Sequence, residues 1–163
     1  MYMKFRMICW KLHLNQCKHF IYIYKDEHVA NLIESDEQHR KHLVKINLSN
    51  NYPFTSPKAE WDLPVAISNY STLAKILSQH RSFVIKYQLF FNCMDDLDKH
   101  MRILEPDKPK KSDKWRRIAL GHHCSLEIQI NAESPLEMKP KIRFFGSAKR
   151  VKDLQTKWKA FIW

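Results

Sequence analysis

Residues 43–61 read Leu43-Val44-Lys45-Ile46-Asn47-Leu48-Ser49-Asn50-Asn51-Tyr52-Pro53-Phe54-Thr55-Ser56-Pro57-Lys58-Ala59-Glu60-Trp61. Val44, Ile46 and Leu48 alternate with Lys45 and Asn47, the two-residue period of a strand with one buried face. A Tyr-Pro-x-x-x-Pro turn follows. Tyr52 supplies a large ring with a polar tip. Pro53 and Pro57 fix φ and lack N–H groups, so the loop can cross the end of a sheet with fewer donors to satisfy. Ala59 to Leu63 then closes the sheet.

Upstream, Phe20 to Tyr24 is apolar and β-prone, Lys25-Asp26-Glu27 is a polar turn, and Val29 to Glu34 is a weaker strand. The charged stretch Ser35 to Lys41 predicts a hairpin loop, so the strands form a meander. Residues 3–14 carry Phe5, Ile8, Cys9 and Leu12 at helical spacing.

Downstream, Ser71 offers a helix N-cap. Leu73, Leu77, His80, Val84, Tyr87, Phe91, Met94 and Met101 then recur near a 3.5-residue spacing. This predicts one long helix, or two nearly end to end. The segment Leu104 to Pro109 ends it, because Pro106 and Pro109 cannot continue a helix, and Leu104 is expected to project from the helix end. Lys110 to Lys114 is a basic loop. A second β region follows: Arg117 to Leu120, then Cys124, Leu126, Ile128 and Ile130 alternating with Ser125, Glu127 and Gln129, then Pro140 to Phe145 with Gly146 closing it. Val151 to Trp163 is amphipathic, and a chain that stops on Phe-Ile-Trp reads as cut short.

The fold class expected is α+β, with two lobes, each an antiparallel meander packed on helix, joined by a long helix. The division is 1–98 and 99–163, with the second lobe incomplete at its C-terminus.

Composition narrows the function. The chain has 163 residues, and its only glycines are Gly121 and Gly146, so glycine-rich nucleotide loops are excluded. Hydrophobic residues make up 44%, which suits a folded core. Cys9, Cys17, Cys93 and Cys124 show no C-x-x-C spacing and read as reduced thiols. No stretch is long and apolar enough to span a bilayer. These features predict a nuclear and cytoplasmic location and no membrane partner. The net charge is +11, and residues 102–163 hold fifteen Lys/Arg against seven Asp/Glu. That half could face an acidic partner or nucleic acid, or be a solvated surface. Lys108, Lys110, Lys111, Lys114, Arg116 and Arg117 surround Trp115, an arrangement that suits single-stranded nucleic acid, although a Trp opening a strand also suits a core.

Catalytic signals are weak. Nine histidines include the adjacent pair His122-His123, which on a strand would face opposite ways, and no Cys/His spacing matches a zinc module. No metal site is therefore expected. Asp95 and Asp98 share a helix face and read as a solvated acidic surface. No Ser/His/Asp or Cys/His arrangement stands out.

The turn at Tyr52, Pro53 and Pro57 resembles the signature of ubiquitin-conjugating (E2, or UBC) domains and their inactive RWD relatives. An active E2 carries His-Pro-Asn and then a nucleophilic Cys. No His-Pro-Asn occurs here, and the next cysteine, Cys93, lies in the helical stretch. The resemblance implies the scaffold without the chemistry.

A second resemblance is more specific. Met94-Asp95-Asp96-Leu97-Asp98, then Leu104-Glu105-Pro106-Asp107-Lys108-Pro109, then Arg116-Arg117-Ile118-Ala119-Leu120-Gly121, with Phe144-Phe145-Gly146 in order, resemble the central region of the FANCL family of Fanconi anaemia ubiquitin ligases. It covers about residues 40–163. It implies a UBC-RWD (double RWD) region that binds the Fanconi ID substrate complex for monoubiquitination in DNA interstrand crosslink repair, with Fanconi core complex subunits as further partners. The family's E2 is recruited by a zinc-bearing RING, whose ligands are not in this sequence, so no cofactor is expected in this chain. Family substrate contacts fall at Arg102, Ile103 and Leu104. Leu104 matches, and Arg102 stands where the family has an aromatic. A second family patch, for ubiquitin, falls around Met138, Arg143, Phe145 and Thr156, and Phe145 keeps its apolar character. The alternative readings are an inactive RWD-type interaction module, a nucleic-acid binder, or a divergent E2-like enzyme using Cys93 or Cys124.

Overall fold

The computed structural model describes residues 20–24, 29–66 and 71–161. The helix expected over 3–14 and the turn at 25–27 lie outside the described residues. The fold is α+β, and two compact units divide between Lys86 and Tyr87.

In the first unit, β1 (Phe20–Tyr24), β2 (Val29–Ser35), β3 (Lys41–Asn47) and β4 (Lys58–Trp61) form an antiparallel meander in chain order. α1 (Leu73–Lys86) follows. Val44 lies opposite Leu32 and Trp61, and Ile46 opposite Ala59. Leu32, Val44, Ile46 and Ala59 bury one face of the sheet in a cluster with Ile76 of α1, and Leu48, Trp61, Leu73 and Leu77 pack around it. The alternation in β3 thus marks the core face as expected.

Two polar groups share that face. His42 is buried, and its Nε2 lies 2.9 Å from Asp36 Oδ2. Asp36 organises the β2–β3 loop: Oδ1 accepts from the backbone N–H of Gln38 and Arg40, and Oδ2 from Arg40 Nε at 2.6 Å. Glu34 is buried on β2, with Oε2 3.2 Å from Nδ1 of buried His80 on α1 and Oε1 3.9 Å from Arg81 Nε. A buried carboxylate needs such partners, since desolvation penalises an unpaired charge.

The cap of α1 differs from expectation. Thr72, not Ser71, accepts at its Oγ1 from the Lys75 N–H, while Ser71 Oγ accepts from Lys75 Nζ. In the Tyr-Pro turn, Tyr52 donates its N–H to Ser49 O and Phe54 to Asn51 O. Pro57 is buried, Tyr52 half-buried and Pro53 exposed, and the Tyr52–Pro53 peptide is cis.

The second unit comprises α2 (Gln88–His100), β5 (Ile103–Glu105), β6 (Trp115–Gly121), β7 (Cys124–Gln129), β8 (Lys141–Phe145) and α3 (Ala148–Phe161). The strands form an antiparallel sheet in order β5-β6-β7-β8. The long helical stretch is interrupted at Tyr87 (φ −93°, ψ 12°), so it is two helices, and α2 belongs to the second unit. The division placed at 98/99 from sequence had put that helix with the first. Phe90, Phe91 and Met94 are buried, whereas Met101, beyond the helix, is half exposed.

One sheet face is apolar: Ile118 lies opposite Ile103 and Leu126, Phe144 opposite Leu126, and Ile142 opposite Ile128. Trp158 of α3 meets Phe144 edge-on at 6.5 Å. Arg116 falls on this same face and is 3% exposed, held by Asp98 of α2. Asp98 is therefore not part of a freely solvated acidic surface. β7 also departs from simple alternation, since Cys124 and Ser125 are both buried. His122 and His123 are not on a strand. They form the two-residue β6–β7 turn with φ of 50° and 58°, the left-handed backbone such hairpins require.

Candidate functional site

β5 is an edge strand, so Arg102, Ile103 and Leu104 line one border of the second sheet. Arg102 is exposed, and its carbonyl accepts the Ala119 N–H at 2.9 Å. Ile103 is half-buried opposite Ile118. Leu104 is 43% exposed and sits on the strand, not at a helix end, because α2 has already finished at His100. The register shifts between Ile103 and Glu105, a bulge of the kind that re-aims a side chain on an edge. The result is an exposed apolar residue two positions from an exposed cation.

The second predicted patch lies at the opposite border. Phe145 ends β8, and its ring is covered by two guanidinium groups: Arg117 Cζ stands 4.3 Å and Arg143 Cζ 4.9 Å from the ring centroid. Such contacts contribute about 0.5–1 kcal/mol each when partly exposed. Arg117 also donates Nε to Ser125 Oγ at 3.0 Å and lies 3.4 Å from the Glu105 carboxylate. The register places Glu105, Arg117, Glu127 and Arg143 opposite one another across all four strands. Charges therefore alternate in a row on the sheet face opposite Ile118 and Phe144. Phe145 is the centre of a cation–π cluster and not a bare apolar surface. Met138 is 53% exposed in the β7–β8 connection, where its Sδ accepts from Asn131 Nδ2 at 2.9 Å. Three strand spacings, roughly 14 Å, separate β5 from β8. The structure does not merge the two patches into one site.

The basic run does not form an unbroken track. Arg116 is buried against Asp98, and Arg117 is engaged by Glu105, Ser125 and Phe145. Cys93 lies half-buried on α2, where burial, and then the neighbouring Asp96 charge, push its thiol pKa up. That is the reverse of what a nucleophilic thiolate needs. Cys124 is buried at the start of β7 and donates to His122 O at 3.5 Å. Among the described residues no group of three His, Cys, Asp or Glu is placed to hold a metal ion.

The Arg117–Phe145–Arg143 cluster was not foreseen as a unit. Its trace in the sequence is the Arg117/Glu127/Arg143 phase, which becomes visible only once the register of three strands is known.

The scaffold matches known proteins along nearly its whole length. The family model described as FANCL UBC-like domain 2 matches residues 5–97, and the one described as FANCL UBC-like domain 3 matches residues 89–162. The chain belongs to the FANCL family. The E3 ubiquitin-protein ligase FANCL of Mus musculus is 34% identical over 126 residues, which cover 75% of this chain and 33% of that protein. The chain thus spans about a third of the length of this curated relative. A crystal structure of FANCL superposes with a TM-score of 0.67 at 14% identity, covering 87% of this chain and 39% of that one. At that identity the superposition speaks for the shared fold. Within this FANCL-family chain the two domain matches overlap in α2, near the division between the compact units.

Proposed function

We propose that this FANCL-type region is a substrate-docking module of a ubiquitin ligase and performs no ubiquitin chemistry of its own. In this reading it binds the Fanconi ID complex for monoubiquitination in crosslink repair, alongside core complex subunits. Transfer depends on a RING and its E2 outside this sequence. The observation that carries the reading is the β5 border: exposed Leu104 on an edge strand, two positions from exposed Arg102. An apolar anchor with a charged neighbour is the usual anatomy of an interface. Phe145 is the proposed ubiquitin contact, while Met138 lies at the other end of β8, beside Gln129 and Lys141.

The test is affinity of the purified chain for immobilised ID complex, with melting temperature measured on the same samples. Leu104→Ala should weaken binding about tenfold, the cost of losing one interface anchor, and leave the melting temperature unchanged. Arg102→Glu should slow association, and more so at low salt. Loss of stability with unchanged affinity of the folded fraction would remove Leu104 from the binding surface.

A further inference from the structure

We infer that the open pocket between the start of β6, the end of β7 and the start of β8 is a binding site for a phosphomonoester carried on a protein segment. This site is distinct from the β5 border and from Phe145, and of the residues in the second predicted patch it includes Met138 alone. The cavity has a volume of about 330 Å³ and is lined by Lys114, Lys139 and Lys141 together with Glu133, and by buried Ile130 and exposed Met138. The lining carries three lysines and one glutamate, and that carboxylate accepts a hydrogen bond from the Tyr87 hydroxyl. The excess of two positive charges matches a phosphomonoester, which carries about −1.5 to −2 at neutral pH.

The cavity walls are pinned before any ligand arrives. The Ile130 N–H donates to Lys114 O at 2.8 Å. Asn131 Oδ1 accepts from the N–H groups of Glu133 and Ser134, and its Nδ2 reaches Met138 Sδ. A site held open in this way spends less binding energy on ordering itself. The volume is at the lower end of ligand pockets and far larger than a phosphate ion. Buried Ile130 and Ala132 line the remaining space, which suits the carbon skeleton that bears the phosphate. A nucleic-acid backbone fits less well. It needs a track of free cations, and the basic run leading here is interrupted where Arg116 and Arg117 are engaged internally.

The 163-residue chain, labelled with ¹⁵N, would be titrated with N-acetyl-phosphoserine methylamide, its unphosphorylated serine counterpart, inorganic phosphate and a single-stranded oligothymidylate. The phosphoserine derivative should shift amides of residues 129–133 and 138–141 saturably and bind more tightly than inorganic phosphate. The serine counterpart should leave them unmoved. Lys114→Gln combined with Lys141→Gln should weaken binding about tenfold or more, as expected from losing two charge-assisted contacts, with the rest of the spectrum unchanged. Lys139→Gln is the second variant should the double substitution disturb the fold, and it should weaken binding in the same direction. The inference fails if phosphoserine produces no saturable shift at these amides, or if the lysine variants bind it as tightly as the parent chain. It also fails if the oligothymidylate occupies the same amides more tightly than phosphoserine does.

Discussion

Arg116 and Asp98 form a two-pronged ion pair between β6 and α2, with Nε to Oδ1 at 2.7 Å and Nη2 to Oδ2 at 2.9 Å. The arginine side chain is 3% exposed and sits on the apolar face of the second sheet; the aspartate is 30% exposed. Removing one partner leaves a buried charge uncompensated, which costs more than the pair gains. Asp98→Ala should therefore destabilise the chain by about 3 kcal/mol, at the lower end for buried pairs because Asp98 keeps some water. Asp98→Leu with Arg116→Met should recover much of that loss. Urea unfolding of the three proteins checks this, and a double variant no more stable than Asp98→Ala would show that the pair does more than cancel charge.

Asp36 in the β2–β3 loop makes a pH prediction. Burial of its carboxyl acts to raise the pKa, but hydrogen bonds from His42 and Arg40, with the Arg40 charge, outweigh it and hold the group well below the usual carboxylate range. A group whose folded pKa is depressed contributes stability above its unfolded value, near 3.9, and loses that contribution as pH falls from there toward the folded value. Asp36→Asn keeps an acceptor for the loop N–H groups but removes the charge. It should cost about 2 kcal/mol at pH 7, the scale of hydrogen bonds to an ionised group. The gap between variant and parent should narrow as pH drops below about 4. Melting temperatures measured between pH 7 and pH 3 test this, and a gap that widens toward acid would reverse the assigned sign.

The apolar skeleton of both sheets was legible because each core strand repeats its apolar residues at the period its geometry demands. Val44 and Ile46 show this, as do Ile142 and Phe144. The charged members of the same faces were not legible. Glu34 looks like a strand end until His80 is brought to it from 46 residues away, and Arg116 reads as part of a basic run until Asp98 claims it. Such residues oppose the hydrophobic pattern, and only the tertiary partner explains them. β5 was not legible: a three-residue edge strand carries too few residues for a period, and the stretch read as a helix end. The cluster around Phe145 required the register of β6, β7 and β8, which local sequence does not encode.

Thiol chemistry follows from the environment of Cys93. With its pKa raised by burial and by Asp96, little thiolate is present at neutral pH. Incubation with E1, ATP and ubiquitin should give no thioester on Cys93, and iodoacetamide should alkylate it more slowly than a free cysteine peptide at pH 7.5. Asp96→Asn should speed alkylation modestly, because it removes the smaller of the two causes. A ubiquitin adduct that is cleaved by reductant and lost on Cys93→Ser would contradict the reading of an inactive scaffold.

Gly146 closes β8 at φ +152°, backbone that side chains rarely adopt, and a Cβ there would lie 2.7 Å from Cys124 Sγ. Two penalties are therefore superimposed: conformational strain at residue 146, and overlap with a buried sulfur at the start of β7. Gly146→Ala should cost about 1–3 kcal/mol, the range for forcing extra volume into a packed site. The cycle with Cys124→Ala separates the penalties. Removing the sulfur relieves the overlap but leaves the strain, so the double variant should lie closer in stability to Cys124→Ala than Gly146→Ala lies to the parent chain. Strict additivity in the cycle would mean that residue 146 and the thiol do not meet, and that the cost of Gly146→Ala is conformational alone.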